Sequence, residues 1–254
     1  MNMKFFLFLF TPLACLFTGC ASQYQGYGPH FSPPGEQIHR IAVISPDLYV
    51  YDVSGGGIAE FRIDWSKSAE TNLGEALRMQ LTKKGIEGIF ISDVNDIPSL
   101  DTIMPFIKLV ATVIHEHLSG KDPFTPQIDS FDYSAGPIAE LCSHLQVDAV
   151  MFSFGADENF SPLRKETLKK MATIKTAKAT FWGAISMILF GSGTFRSYTV
   201  PLEQTFVCCL VADKNGKIIW YKHYMQSDGA DLRKSADAGK LAGNVLNGFY
   251  FRKK

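Results

Sequence analysis

Apolar and polar positions alternate where the folded part of the chain begins. Ile38 to Ile44 and Leu48 to Val53 cluster β-branched and aromatic residues at a period of two, which predicts strands. Gly55, Gly56 and Gly57 predict a turn, and Ile58 to Ile63 a returning strand. The period then changes. Trp65, Ala69, Leu73, Leu77 and Leu81 recur at steps of four and give a helix one apolar face, with Asp64 or Ser66 suited to cap its start and Lys83, Lys84 and Gly85 suited to its end. Trp65 reads as a core residue at the head of that stripe. "GIFISDV" follows as a short strand, and Leu100 to Leu118 as a strongly apolar helix with Pro105 in or just beyond its first turn.

Farther along, Ala149 to Phe154 reads as a strand and "QTFVCCLVADKNGKIIWYKH" as a hairpin, with Asp213, Asn215 and Gly216 forming the tight turn. Leu232, Ala236, Gly239, Ala242 or Gly243, Leu246 and Phe249 recur at helical spacing in a closing helix. Glycine inside a helix costs about 1 kcal/mol against alanine, so close packing on the strands is the expected compensation. The order strand, helix, strand predicts an α/β fold, a mixed β-sheet with helices packed on one face.

Before the folded part, Met1 to Lys4 carries a positive charge and Phe5 to Phe17 is apolar apart from Thr11 and Pro12. That run is shorter than the roughly 20 apolar residues a spanning helix needs, and it has the layout of a secretory signal. Thr18 and Gly19 lead into Cys20, and the stretch resembles the bacterial lipobox, in which the chain is cut before a cysteine that carries a diacylglycerol. Phe17 stands where that pattern usually has leucine. No aspartate follows Cys20, and by the same resemblance this implies an outer-membrane anchor on the periplasmic face. The expected division is a signal over 1–19, a flexible tether rich in Gly, Pro, Tyr and Ser over 20–37, and a single α/β domain over 38–254.

Charge and cysteine content narrow the function. The 254 residues hold 25 basic and 25 acidic side chains, so there is no electrostatic case for nucleic acid. Beyond Cys20, the expected mature chain has Cys142, Cys208 and Cys209. Cys142 could meet either member of the adjacent pair but not both, since neighbouring strand residues face opposite ways; the alternative is three small apolar core residues.

An insertion of about 160–200 separates the strand at Ala149 from the hairpin. Arg164, Lys165, Lys169, Lys170, Lys175 and Lys178 precede the uncharged run "FWGAISMILF". Its Phe181, Trp182, Ile185, Met187, Ile188, Leu189 and Phe190 are a candidate membrane or oligomer interface. Three forms fit: a core or subunit-interface helix, a membrane-surface segment, or a strand given to a multimeric barrel.

Catalytic and metal motifs are absent from the sequence. There is no G-x-S-x-G, and "HEH" at His115, Glu116 and His117 lacks the four-residue spacing that puts two zinc ligands on one helical face. A solvated helix end is the expectation there. His30, His39, His144 and His223 show no ligand spacing either, and no metal or cofactor is expected.

"RIAVISP", "AETNLGEALRMQL", "VDAVMFSFG", the hairpin with "LVADKNGKIIW" at Leu210 to Trp220, and "ADAGKLAGNVLNGF" together resemble the periplasmic α/β lipoproteins around the curli-secretion channel protein, the Pel polysaccharide lipoprotein and the amino-terminal domain of TolB. The resemblance implies a non-catalytic, homo-oligomeric component of envelope assembly or export. The alternative is a monomeric tethered module that binds a periplasmic enzyme or the peptidoglycan machinery.

Overall fold

A computed structural model describes residues 22–28, 38–93, 97, 100–119, 132–136, 138–174, 204–226 and 230–249. Its strands are β1 (Ser22–Tyr27), β2 (Arg40–Ile44), β3 (Asp47–Val53), β4 (Ala59–Phe61), β5 (Glu87–Ile91), β6 (Ala149–Phe160), β7 (Gln204–Asp213) and β8 (Ile218–Gln226). The helices are α1 (Ile63–Lys83), α2 (Leu100–Ser119), α3 (Ile138–Leu145), α4 (162–174) and α5 (Ser235–Val245). The fold is α/β, built on one mixed eight-stranded sheet in the order β1-β8-β7-β6-β2-β5. Along the other edge of β6, β2 takes Ala149 to Met151 and β3 takes Phe154 to Phe160, both in parallel, so β2 and β3 follow one another along a single neighbour. The short β4 hangs on β3.

Helices cover both faces of the sheet, where the sequence order had suggested one. The physical reason is in β6 and β7, whose runs "AVMF" and "VCCLVA" are apolar at every position, so successive side chains on opposite faces all need cover. Met151, Val207, Cys209, Val211 and Trp220 pack under α1 and α5; Val150, Phe152, Cys208, Leu210 and Tyr221 pack under α2 and α3. The expected stripe of α1 is buried at Ala69, Leu73, Leu77 and Leu81, with Trp65 half-buried at its head.

Local details differ from the sequence reading in ways the packing explains. The cap position of α1 is Arg62, with no side-chain cap, and Asp64 and Ser66 lie inside the helix. Ser66 is buried and accepts the Val50 amide at 3.0 Å, tying α1 to β3. Asp64 sits in the first turn, where a negative charge faces the helix dipole favourably. The hairpin turn is as expected: Asp213 accepts the Asn215 and Lys217 amides at 2.9 and 2.8 Å, and Gly216 takes φ 76°. The close approach expected of Gly239 in α5 is absent. A Cβ there would meet nothing within 4 Å, because α5 rests on α1 through Ala238, Leu241, Ala242 and Val245.

Two glycines therefore differ in kind. A Cβ at Gly155 would lie 2.1 Å from the Phe206 carbonyl oxygen on the neighbouring strand, and backbone cannot yield there. Gly155→Ala is expected to lower unfolding free energy by about 1–3 kcal/mol. Gly239→Ala is expected to raise it by about 0.5–1 kcal/mol. Urea titrations of both variants check the opposite signs.

Candidate functional site

Cys20 lies outside the described residues, as do Phe181, Trp182, Ile185, Met187, Ile188, Leu189 and Phe190. What is described is the structure from which those stretches depart. Ser22–Tyr27, expected within a flexible tether, is a strand paired antiparallel to β8 from Ser22↔Met225 to Tyr27↔Trp220. Its hold is specific. The Lys222 ammonium, in a largely buried side chain, donates to the side-chain oxygens of Gln23 and Gln25 at 3.0 and 2.9 Å, and burial pulls its pKa below the usual lysine range. The Tyr27 hydroxyl donates to the Gly248 carbonyl, and the Gly28 amide to that of Ile219 at 3.0 Å. The polar character that read as tether is thus consumed by partners on β8 and beyond the end of α5.

On the other face, the same strand closes an aromatic cluster. Tyr24 meets the His115 ring edge-on at 5.0 Å and lies 6.1 Å from His223, and the two histidine rings are 4.5 Å apart, with Phe206 stacked on His223 at 6.0 Å. The Tyr133 hydroxyl meets His117 Nδ1 at 2.6 Å. The "HEH" stretch is therefore packed against β1, β8 and Tyr133, which corrects the expected solvated helix end. Its cause is that α2 lies across these strands, a contact the helix's own periodicity could not show. Among the described residues no three His, Cys, Asp or Glu side chains converge as metal ligands.

Among the described residues the cysteines Cys142, Cys208 and Cys209 are free thiols. Cys142, on α3, and Cys208, on β7, share the core between the sheet and the α2 and α3 layer, and Cys209 faces the α1 and α5 side, as the alternation of strand side chains requires. Burial pushes the Cys142 thiol up to about 11 and Cys208 to about 12, and it raises Cys209 well above its usual value. A thiol so placed is a poor nucleophile.

A polar network missed by the sequence reading holds the segment before α5. Asp157, on β6 and 1% exposed, accepts from Thr205 Oγ1 at 2.7 Å, Asn159 Nδ2 at 3.0 Å and the Leu232 amide at 3.1 Å. Thr205 accepts the Ala230 amide at 3.2 Å. Arg233 donates to Asp231 and, at 3.3 Å, to Asn159 Oδ1, and its guanidinium lies 3.8 Å from the centre of the Trp65 ring. Arg62 stands 4.4 Å from the same ring, so Trp65 is clasped between two cations. Burial opposes ionisation of Asp231, but hydrogen bonds and charge from Arg233 and Lys234 outweigh it and hold its carboxyl below the usual range. This arrangement fastens α5 to α1 and β6; Asn72 adds donations to the Leu232 and Arg233 carbonyls at 3.1 and 2.8 Å.

For Asp157 desolvation wins over its three donors, and its carboxyl is pushed up to about 6 from 3.8. Folding therefore favours the protonated form. That contribution is fully present below about pH 4 and is lost as pH rises through about 6, a swing of about 2–3 kcal/mol. Asp157→Asn keeps an acceptor for Leu232 and Asn159 and supplies a donor to Thr205, which can then donate to the Ala230 carbonyl at 3.2 Å. Urea unfolding across pH is expected to show the variant gaining on the wild type between pH 4 and 7.5 by up to that amount.

No protein-family model matches the chain, and no curated protein matches it. Solved structures similar to it include two forms of one protein. One is the PelC dodecamer from Paraburkholderia phytofirmans, at 15% identity and a TM-score of 0.39, covering 92% of this chain and 100% of that one. The other is a single-substitution variant of the PelC dodecamer from the same organism, at 15% identity and a TM-score of 0.37, with the same coverage.

Proposed function

We propose that this protein is a lipoprotein held at the periplasmic face of a bacterial outer membrane, where it acts as a non-catalytic, oligomeric component of envelope assembly or export. The observation that carries the reading is the position of Cys20. It ends a short apolar run with a charged start, and it stands two positions before a strand built into the main sheet. Two extended residues span at most about 7 Å, so an acyl chain on Cys20 holds the domain against the bilayer rather than at the end of a long leash. That favours a component working at the membrane over a tethered module reaching for a distant partner. The resemblance of the Leu210 to Trp220 hairpin to the envelope lipoproteins supports homo-oligomer formation, and the uncharged run Phe181 to Phe190 is the candidate interface for it.

The native protein, extracted in mild detergent and weighed by light scattering with detergent accounted for, is expected to be a closed multimer. Trp182→Glu combined with Leu189→Glu is expected to shift that mass to smaller species. A wild-type monomer would replace this reading with the one-to-one binder.

A further inference from the structure

The strand register brings several separate features of the chain to one end of the sheet. Ser22, Met225, Phe206, Ala156 and Tyr49 lie in one row across β1, β8, β7, β6 and β3. Just past that row, β6 and β3 run on to Phe160 and Val53, and β7 begins at Gln204. This is the end at which Cys20 precedes β1, at which the chain passes from β6 into α4, and at which β7 begins. The β3–β4 turn is there too. α4 is fixed to it: the Ser161 amide donates to the Val53 carbonyl at 2.9 Å, Ser161 Oγ accepts the Arg164 amide at 3.2 Å, and a Cβ at Gly55 would lie 2.6 Å from the Leu163 side chain.

Large apolar side chains stand open on the β3–β4 turn and along α4. Ile58 beyond the turn is 74% exposed, and on α4 Leu163, Ile174 and Met171 are 64%, 54% and 48% exposed. At 100° per residue, Ile174 and Met171 fall about 20° and 80° round the helix from Leu163, so the three share a face, while Leu168, about 140° away, is buried. α4 carries Arg164, Lys165, Lys169 and Lys170 against the lone acid Glu166, which binds Lys170 at 2.7 Å. Lys170 falls about 20° from Leu163 on the side away from Met171 and borders the stripe, and a helix with an apolar stripe and excess positive charge is complementary to an anionic lipid surface. Two copies of the same basic face would repel one another.

We infer that the end of the sheet formed by the β3–β4 turn and α4 is the face the domain lays on an anionic phospholipid bilayer. Ile58, Leu163, Met171 and Ile174 enter the boundary of the acyl chains, and Lys170 beside them meets the headgroups. The inference rests on the proposed anchor at Cys20, which fixes the same end of the sheet to the membrane by the shortest length of chain.

The test uses the full mature lipoprotein in phosphatidylethanolamine–phosphatidylglycerol vesicles. Environment-sensitive thiol labels are placed singly at Ile58→Cys, Ile174→Cys and, on the β7–β8 turn at the opposite end of the sheet, Asn215→Cys. The buried Cys142, Cys208 and Cys209 stay unlabelled under native conditions. Expected are an apolar signal at 58 and 174, quenched by lipid-borne quenchers, and an aqueous signal at 215. Replacing phosphatidylglycerol with phosphatidylcholine, or making Lys170→Gln, is expected to lower the ratio of lipid-embedded to aqueous label at 174 by about fivefold. Vesicles that float the protein while 58 and 174 remain aqueous overturn the face and leave the anchor standing. Failure to float, with a label entering Cys20, overturns the anchor and the face with it. An apolar signal at 174 that grows with protein concentration in the absence of vesicles assigns the surface to a second copy.

Discussion

Burial of β6 and β7 on both faces is the constraint on which the remaining structure depends. Their apolar positions do not alternate, so neither strand can lie with one side in water, and a helical layer is needed above and below. α1 and α5 supply one layer, α2 and α3 the other. β6 is also paired along its length, to β2 and then β3 on one edge and to β7 on the other. The polar residues at its far end follow from this. Asp157 and Asn159, carried inward by a strand with no free side, are satisfied by Thr205, Leu232 and Arg233, and those partners fix the approach of α5.

The same register gives the molecule two unlike ends. One carries the tight turn at Asp213 to Gly216 and the entry of β2; the other carries the start of β1, the β3–β4 turn and α4. Only the second adjoins Cys20 in the sequence. The strand β1 matters here because it converts a covalent attachment into an orientation: a lipid two residues from a paired strand constrains which end of the sheet faces the bilayer. A long leash would leave that orientation free.

Much of this fold was legible in the chain. The steps of four from Ala69 to Leu81, the β-branched and aromatic clusters at Ile41 to Ile44 and Leu48 to Val53, and the Asp213 to Gly216 turn each reflect preferences of residues near in sequence. What escaped was long-range. Ser22 to Tyr27 has no apolar alternation to mark a strand, and its stability comes from Lys222 and from the Gly248 carbonyl, about two hundred residues away. The packing of His115 depends on Tyr24 and His223 in the same way. The second helical layer did have a signal, since an unbroken apolar run of strand length implies cover on two sides. Gly239 misled because a small residue in a helix permits close packing without requiring it. Cys20 was legible as a candidate from the residues before it, and the structure adds its nearness to β1.

The most direct test of the account is intact-mass spectrometry of the protein purified from cell membranes. A mature chain that begins at Cys20 and carries the added mass of a diacylglycerol is the predicted result. A chain that begins elsewhere, or one that begins at Cys20 with no lipid mass, would contradict the placement of this domain on the bilayer.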